Sequence, residues 1–205
     1  RFLNHGQIDW LRSFDANMTP KNSGLENAYV LYEDRNDDKQ FTINTILNTE
    51  LNEHTTLNGK IAYKRLRSHN FAKVIDLLGG DTYLDIDPFG ATEEEKQNNL
   101  LDPNRYVTKG DIFKYNFNLY SDIIAAFVQA QFNYYSIDFY TAFYLNSTSH
   151  QREGVYQNGG FSENSFGPSK KKKFMNYGFK TGATYKFTGR HLLDLNAAYL
   201  TAAPT

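Results

Sequence analysis

The sequence predicts an all-β chain of about six long antiparallel strands, and three observations carry that reading. Apolar and polar residues alternate with a period of two over unusually long stretches. The connections between those stretches alternate between tight and long. The apolar content is dominated by aromatics, with 15 Tyr and 16 Phe against one Trp and two Met.

The alternation is clearest from Met175 to Phe187. Met175, Tyr177, Phe179, Thr181, Ala183, Tyr185 and Phe187 fall on one face, and Asn176, Gly178, Lys180, Gly182, Thr184 and Lys186 on the other. A helix would scatter those lysines among the aromatics, whereas a strand separates them. The same pattern places Phe41, Ile43, Thr45, Leu47, Thr49 and Leu51 opposite Thr42, Asn44, Asn48 and Glu50, with Ile46 as the exception. It recurs at Leu57–Lys64, Ile124–Asn133, Asp138–Asn146 and Leu192–Tyr199. These strands run to ~10 residues or more, about twice the usual strand of a soluble sandwich. That length suffices to cross a bilayer at a tilt.

Connectivity agrees. Asn52–His54, Tyr134–Ser136 and Thr188–His191 read as tight turns, the last with Gly189 free to adopt positive φ. Roughly residues 11–27, 69–113 and 150–173 form long connections. Loops this long are uncommon in compact domains. They are expected of outer-membrane barrels, which have short periplasmic turns and long extracellular loops. The expected fold is therefore a partial antiparallel transmembrane β-barrel. About six strands fall short of the ~8 that the smallest barrels need. Open edges are not tolerated in lipid, so further strands are expected on both sides of this stretch. Residues 1–205 form one barrel fragment on this reading, and the fragment is not expected to fold alone.

Composition narrows the function. A net charge of -1 gives no bulk attraction for nucleic acid. Cysteine is absent, so disulfides and thiolate metal sites are excluded. No run of ~18 apolar residues exists to form a transmembrane helix, and no signal segment opens the sequence. Nucleophile-elbow, dinucleotide and phosphate-loop motifs are missing, so no enzyme activity and no cofactor are expected. The five histidines show no metal-ligand spacing.

Several segments resemble TonB-dependent receptors of the Bacteroidetes type. They are Leu77–Asp87 (LLGGDTYLDID), Asn99–Val107 (NLLDPNRYV), Ala126–Asn133 (AFVQAQFN), Gln151–Gly154 with Asn158-Gly159 and Asn164–Gly167, and Gly182–His191 leading to Ala198–Pro204. The resemblance covers most of residues 28–205 and is cumulative. It implies a barrel of ~22 strands filled by an N-terminal plug, in the outer membrane of a Gram-negative bacterium. It further implies uptake of a small molecule or oligosaccharide, powered through the TonB complex, with a surface lipoprotein as a possible partner. The family usually has Arg where this chain has Ala202.

Candidate site residues follow from these expectations. Trp10, Tyr83, Phe89, Tyr106 and Tyr156 lie in the long connections, where they are available to stack on a ligand or to pack loop against loop. Asp85 and Asp87, two apart in an acidic loop, are the best candidates for a cation, with a solvated acidic loop as the alternative. Lys60, Gln129, Gln131, Asn176, Lys180 and Thr184 fall on the polar face, expected to look into the lumen. The lysine run Lys170–Lys173 suits anionic lipopolysaccharide at the outer leaflet, or simply solvent. Three rival classes remain at this point: a passive porin or structural surface barrel, an outer-membrane enzyme, and a soluble carbohydrate-binding β-sandwich.

Overall fold

The computed structural model describes residues 8–18 and 27–203. The chain is mostly antiparallel β-sheet with one helix, Trp10–Met18. Six long strands dominate: β1 (Leu31–Asn52), β2 (Thr55–Asp76), β5 (Ile112–Asn133), β6 (Ile137–Gly154), β8 (Lys172–Thr188) and β9 (His191–Leu200). They lie side by side in the order β1-β2-β5-β6-β8-β9, so each long strand neighbours the next in sequence. The short strand β7 (Gly167–Pro168) turns back onto the end of β6, and β3 (Tyr83–Leu84) pairs with β4 (Tyr106–Val107) separately.

All three expected tight turns are present. β1 and β2 are joined across Glu53-His54, where His54 N–H is held by the Asn52 side chain at 2.9 Å. The exposed His54 also places its Nδ1 2.9 Å from the Asn133 carbonyl and stacks its ring on Tyr134 at 5.0 Å.

The strands are longer than the alternation indicated. β1, β2 and β5 each have 22 residues, which is roughly 70 Å of extended chain. Alternation missed the added lengths because 31–40 is charged on both faces and 69–76 mixes apolar and polar residues on both. The long connections shrink accordingly, to residues 77–111 and 155–171. The long connection expected at roughly residues 11–27 carries the helix Trp10–Met18 over its first part.

The chain divides into two compact units, and four long strands contribute to both. The loop-bearing unit contains described residues 8–18, 27–38, 68–119 and 152–169. Ala72, Val74, Val107 and Phe113 form its buried core, with Val30, Leu77, Tyr83 and Tyr115 packed around them. Phe113 meets Tyr32 and Tyr83 edge-on at 5.4 and 5.9 Å, the favoured aromatic geometry.

The hairpin unit contains residues 39–67, 120–151 and 170–203, with all three tight turns. Its register is continuous across β6, β8 and β9, apart from a bulge in β8 between Lys186 and Thr188. Phe143 is opposite Phe179, which is opposite Tyr199; Phe139 is opposite Ala183, then Leu195; Ile137 is opposite Tyr185, then Leu193. Directly opposed residues share a face, so these rows form one continuous apolar surface. That surface is uncovered: Met175 is 70% exposed, Leu195 73% and Phe143 48%. The polar face is the less exposed one, with Ala142, Asn176, Gly178 and Gly182 buried. Water favours the opposite distribution.

Candidate functional site

Polar chemistry concentrates in the loop-bearing unit, around Asp85. Asp85 is 3% exposed. Its Oδ1 accepts hydrogen bonds from Asn98 Nδ2 and from the Lys114 backbone N–H, each at 2.8 Å. Its Oδ2 accepts from Arg105 Nη2 at 2.9 Å. The same Arg105 nitrogen donates to the Ile112 carbonyl at 2.5 Å and the Tyr156 hydroxyl at 3.0 Å. Tyr156 donates in turn to the Ile112 carbonyl at 2.8 Å. A buried carboxylate requires such partners, because its desolvation costs several kcal/mol if uncompensated (~3–5 when one partner is removed). Burial pushes the Tyr156 hydroxyl above its ordinary pKa, with Arg105 opposing the rise. Against the penalty of burial, Tyr156 and Asp85 raise the pKa of the Arg105 guanidinium.

The connection 155–171 is fastened to residues 94–100. Leu100 N–H donates to the Gln157 carbonyl at 2.7 Å, and Gly159 N–H to the Gln97 carbonyl at 2.8 Å. Asn158 caps the short 3-10 turn Gly159–Phe161, its Oδ1 accepting from Gly160 N–H at 3.0 Å. Glycine is required at 159, where a Cβ would collide with the Glu94 carbonyl. Lys114 has φ +65 within β5. A side chain in that backbone region costs about 1–3 kcal/mol and persists only where its surroundings over-determine it. Here the Asp85 bond to its N–H is one such constraint.

These elements leave an open cleft of about 460 Å³ lined by Tyr156, Asn98, Lys114–Phe117, Arg152, Asn158, Phe161, Asn164 and Ser165. Arg152 lies over the Phe117 ring at 4.8 Å and donates to the Ser165 carbonyl at 2.9 Å. Arg105 likewise covers the Tyr156 ring at 5.2 Å. His69 Nε2 lies 2.7 Å from Asn116 Oδ1 and fixes that amide.

Of the five aromatic candidates, the structure brings only Tyr156 to this cleft. Tyr83 belongs to the core. Trp10 sits exposed on the helix, Phe89 is exposed in a turn, and Tyr106 is exposed on β4. The cation candidates are not assembled as a metal site. Asp85 is saturated by hydrogen-bond donors, and Asp87 accepts from Phe89 N–H at 3.0 Å in a local turn. Neither lies in a long strand. No group of three or more His, Asp or Glu that would hold a metal gathers among the described residues. Sequence reasoning missed Arg152, Lys114, Asn116 and Phe117, which alternation alone cannot distinguish from ordinary strand positions.

The six polar-face residues are distributed along the hairpin unit. Asn176, Lys180 and Thr184 align with Asn146, Ala142 and Asp138 across the β6–β8 ladder. Thr184 donates to Asp194, Lys186 pairs with Asp138 at 2.6 Å, and the Tyr140 hydroxyl reaches Asn196 at 3.1 Å. Gly182 leaves the space that the Tyr140 ring occupies on its way across. Gln131 joins Asp138, Tyr140, Thr184 and Asn196 around a small polar depression. Gln129 alternates with Val128, and Lys60 with Ile61, so each points to the face opposite those apolar neighbours.

The geometry thus defines long antiparallel strands with an amphipathic face in the hairpin unit and, within the loop-bearing unit, a polar cleft. No family model matches the chain, and neither the curated proteins nor the solved structures contain a match to it.

Proposed function

We propose that this chain is part of the β-barrel of an outer-membrane TonB-dependent receptor, which binds a nutrient outside the cell and imports it. The observation carrying the proposal is the uncovered apolar face of β6, β8 and β9, in register over the hairpin unit. A surface of Phe, Leu, Ile, Met and Tyr on long strands is unstable in water and suited to lipid tails. β8, with 17 residues, and β9, with 10, meet the ~9–11 residues that a tilted spanning strand requires. Anionic lipopolysaccharide suits the cations that gather near Lys170–Lys173. Arg65 and Lys171 flank Asp122 at 3.0 and 3.6 Å, and the Tyr63 hydroxyl donates to the same carboxylate at 2.8 Å. The plug, the TonB coupling and a lipoprotein partner rest on the sequence resemblance.

The test uses single cysteines, since the chain has none of its own. In the full-length gene product in outer-membrane vesicles, nitroxide labels at Phe179→Cys and Leu195→Cys are relaxed by dissolved oxygen. Labels at Lys180→Cys and Asn196→Cys respond instead to a water-soluble nickel chelate. Water accessibility on both faces would exclude the membrane reading and favour the sandwich. Nutrient uptake that persists without an energised inner membrane would favour the passive porin.

A further inference from the structure

We infer that the cleft bounded by Arg152, Lys114, Asn116, Asn158, Phe161 and Asn164 is a binding site for an acidic sugar, a polyhydroxylated molecule carrying a carboxylate. This deepens the receptor reading and rests on it for the cleft's access to the cell exterior.

Charge selects an anion. Two cationic side chains and no carboxylate line the cleft, although the chain as a whole carries a net charge of -1. Asp85, bonded to two cleft-lining residues, is buried and compensated by Arg105 at 2.9 Å. Arg152 is the better anchor of the two cations. Lys114 donates to the Tyr32 hydroxyl at 2.9 Å and sits 4.8 Å over the Tyr32 ring. Arg152 has five N–H donors in a rigid fork that matches a carboxylate. Stacking on Phe117 and the bond to Ser165 hold that fork in place.

The remaining lining selects hydroxyl groups. Asn98, Asn116, Asn158 and Asn164 contribute four side-chain amides, and Ser165 a hydroxyl. Amides both donate and accept, as sugar hydroxyls do. The Phe117 and Tyr156 rings are covered by guanidinium groups and offer little stacking surface to a flat aromatic ligand. Phe161 is 69% exposed and supplies one ring of the kind on which a sugar face packs. The strained Lys114 backbone lies at the same cleft, consistent with geometry fixed before a ligand arrives.

Calorimetric titration of the detergent-purified full-length gene product tests the assignment, with trigalacturonate as the acidic probe and maltotriose as its neutral counterpart. Trigalacturonate is expected to bind at least ten-fold tighter than maltotriose, and more weakly as salt rises. Arg152→Gln should reduce that preference about ten-fold. Arg152→Lys keeps the charge without the fork and should recover only part of it. Asn164→Ala alters an exposed amide, avoiding dependence on folding of the Arg152 variants, and should weaken the acidic probe several-fold. Equal binding of both probes, no binding of either, or unchanged affinity in the Asn164 and Arg152 variants would overturn the proposal. If the spin-label pattern on the strands persists when trigalacturonate fails to bind, the sugar site falls and the receptor reading stands.

Discussion

The loop-bearing unit and the hairpin unit are built from overlapping strands but solve opposite problems. In the loop-bearing unit, apolar side chains turn inward: Val74 and Val107 are fully enclosed, and Phe113 sits among aromatic neighbours. Most polar groups buried there are paired, as in the Asp85–Arg105–Tyr156 network, where only the Arg105 Nε is left without a hydrogen-bond acceptor. That is how a water-soluble domain is organised. In the hairpin unit the apolar side chains line one face of a ladder interrupted by a single bulge and stay exposed among the described residues, while the polar face is the less exposed one on β6 and β8. The first unit has a packed interior of its own, and the second leaves its large apolar side chains exposed, the feature on which the proposed membrane reading rests.

The largest expected effect falls on the loop-bearing unit. Asp85→Ala leaves Arg105 buried without its carboxylate and the Lys114 N–H without its acceptor, at a cost of about 3–5 kcal/mol. Amide hydrogen exchange should show residues 81–118 and 152–169 losing protection while the β8–β9 ladder keeps its own. Loss of protection in both units together would break the comparison.

The next effect falls on the other unit. Phe179 sits mid-strand in β8 between Phe143 and Tyr199. On the proposed membrane reading, Phe179→Arg should destabilise the protein by about 2–4 kcal/mol, as read from urea unfolding in phosphatidylcholine vesicles. Its neighbour Lys180→Thr, on the polar face, should cost less than about 1 kcal/mol. Equal costs at the two positions would mean the faces do not meet different environments.

The smallest effect is a titration that sharpens the picture of the loop-bearing unit. Burial, together with the hydrogen bond to Asp34 at 2.8 Å, pushes the Tyr115 hydroxyl up to about 12. Its protonated form is favoured in the folded state. The associated stabilisation is complete below the ordinary tyrosine value near 10 and is lost as pH rises through about 12. Ultraviolet titration of tyrosinate absorbance should show a late phase that Tyr115→Phe removes. An unchanged late phase would detach Tyr115 from that contact.

The hairpin unit was largely legible in advance because its signal is local. Alternation at Met175–Phe187 assigns each residue to a face without knowledge of its partners, and the observed ladder pairs those faces residue by residue. The three turns were equally readable from spacing. The loop-bearing unit was not, because its order comes from contacts far apart in sequence. Nothing local marks Asp85 as the acceptor for Asn98, Arg105 and Lys114, so its carboxylate resembled a cation ligand. Nothing local separates Tyr156, which reaches the cleft, from Tyr83, which packs against the core.

The sequence by itself determined the strand-rich character, the placement of tight turns, and which side chains share a face, because a period of two is a property of the extended backbone. Only the tertiary structure decided how far the strands extend through their charged ends, which loop residues converge on one cleft, and which apolar face stays uncovered. Those outcomes depend on pairing across long separations, where hydrogen-bond partners and enclosed volume are set by the fold and not by neighbours along the chain.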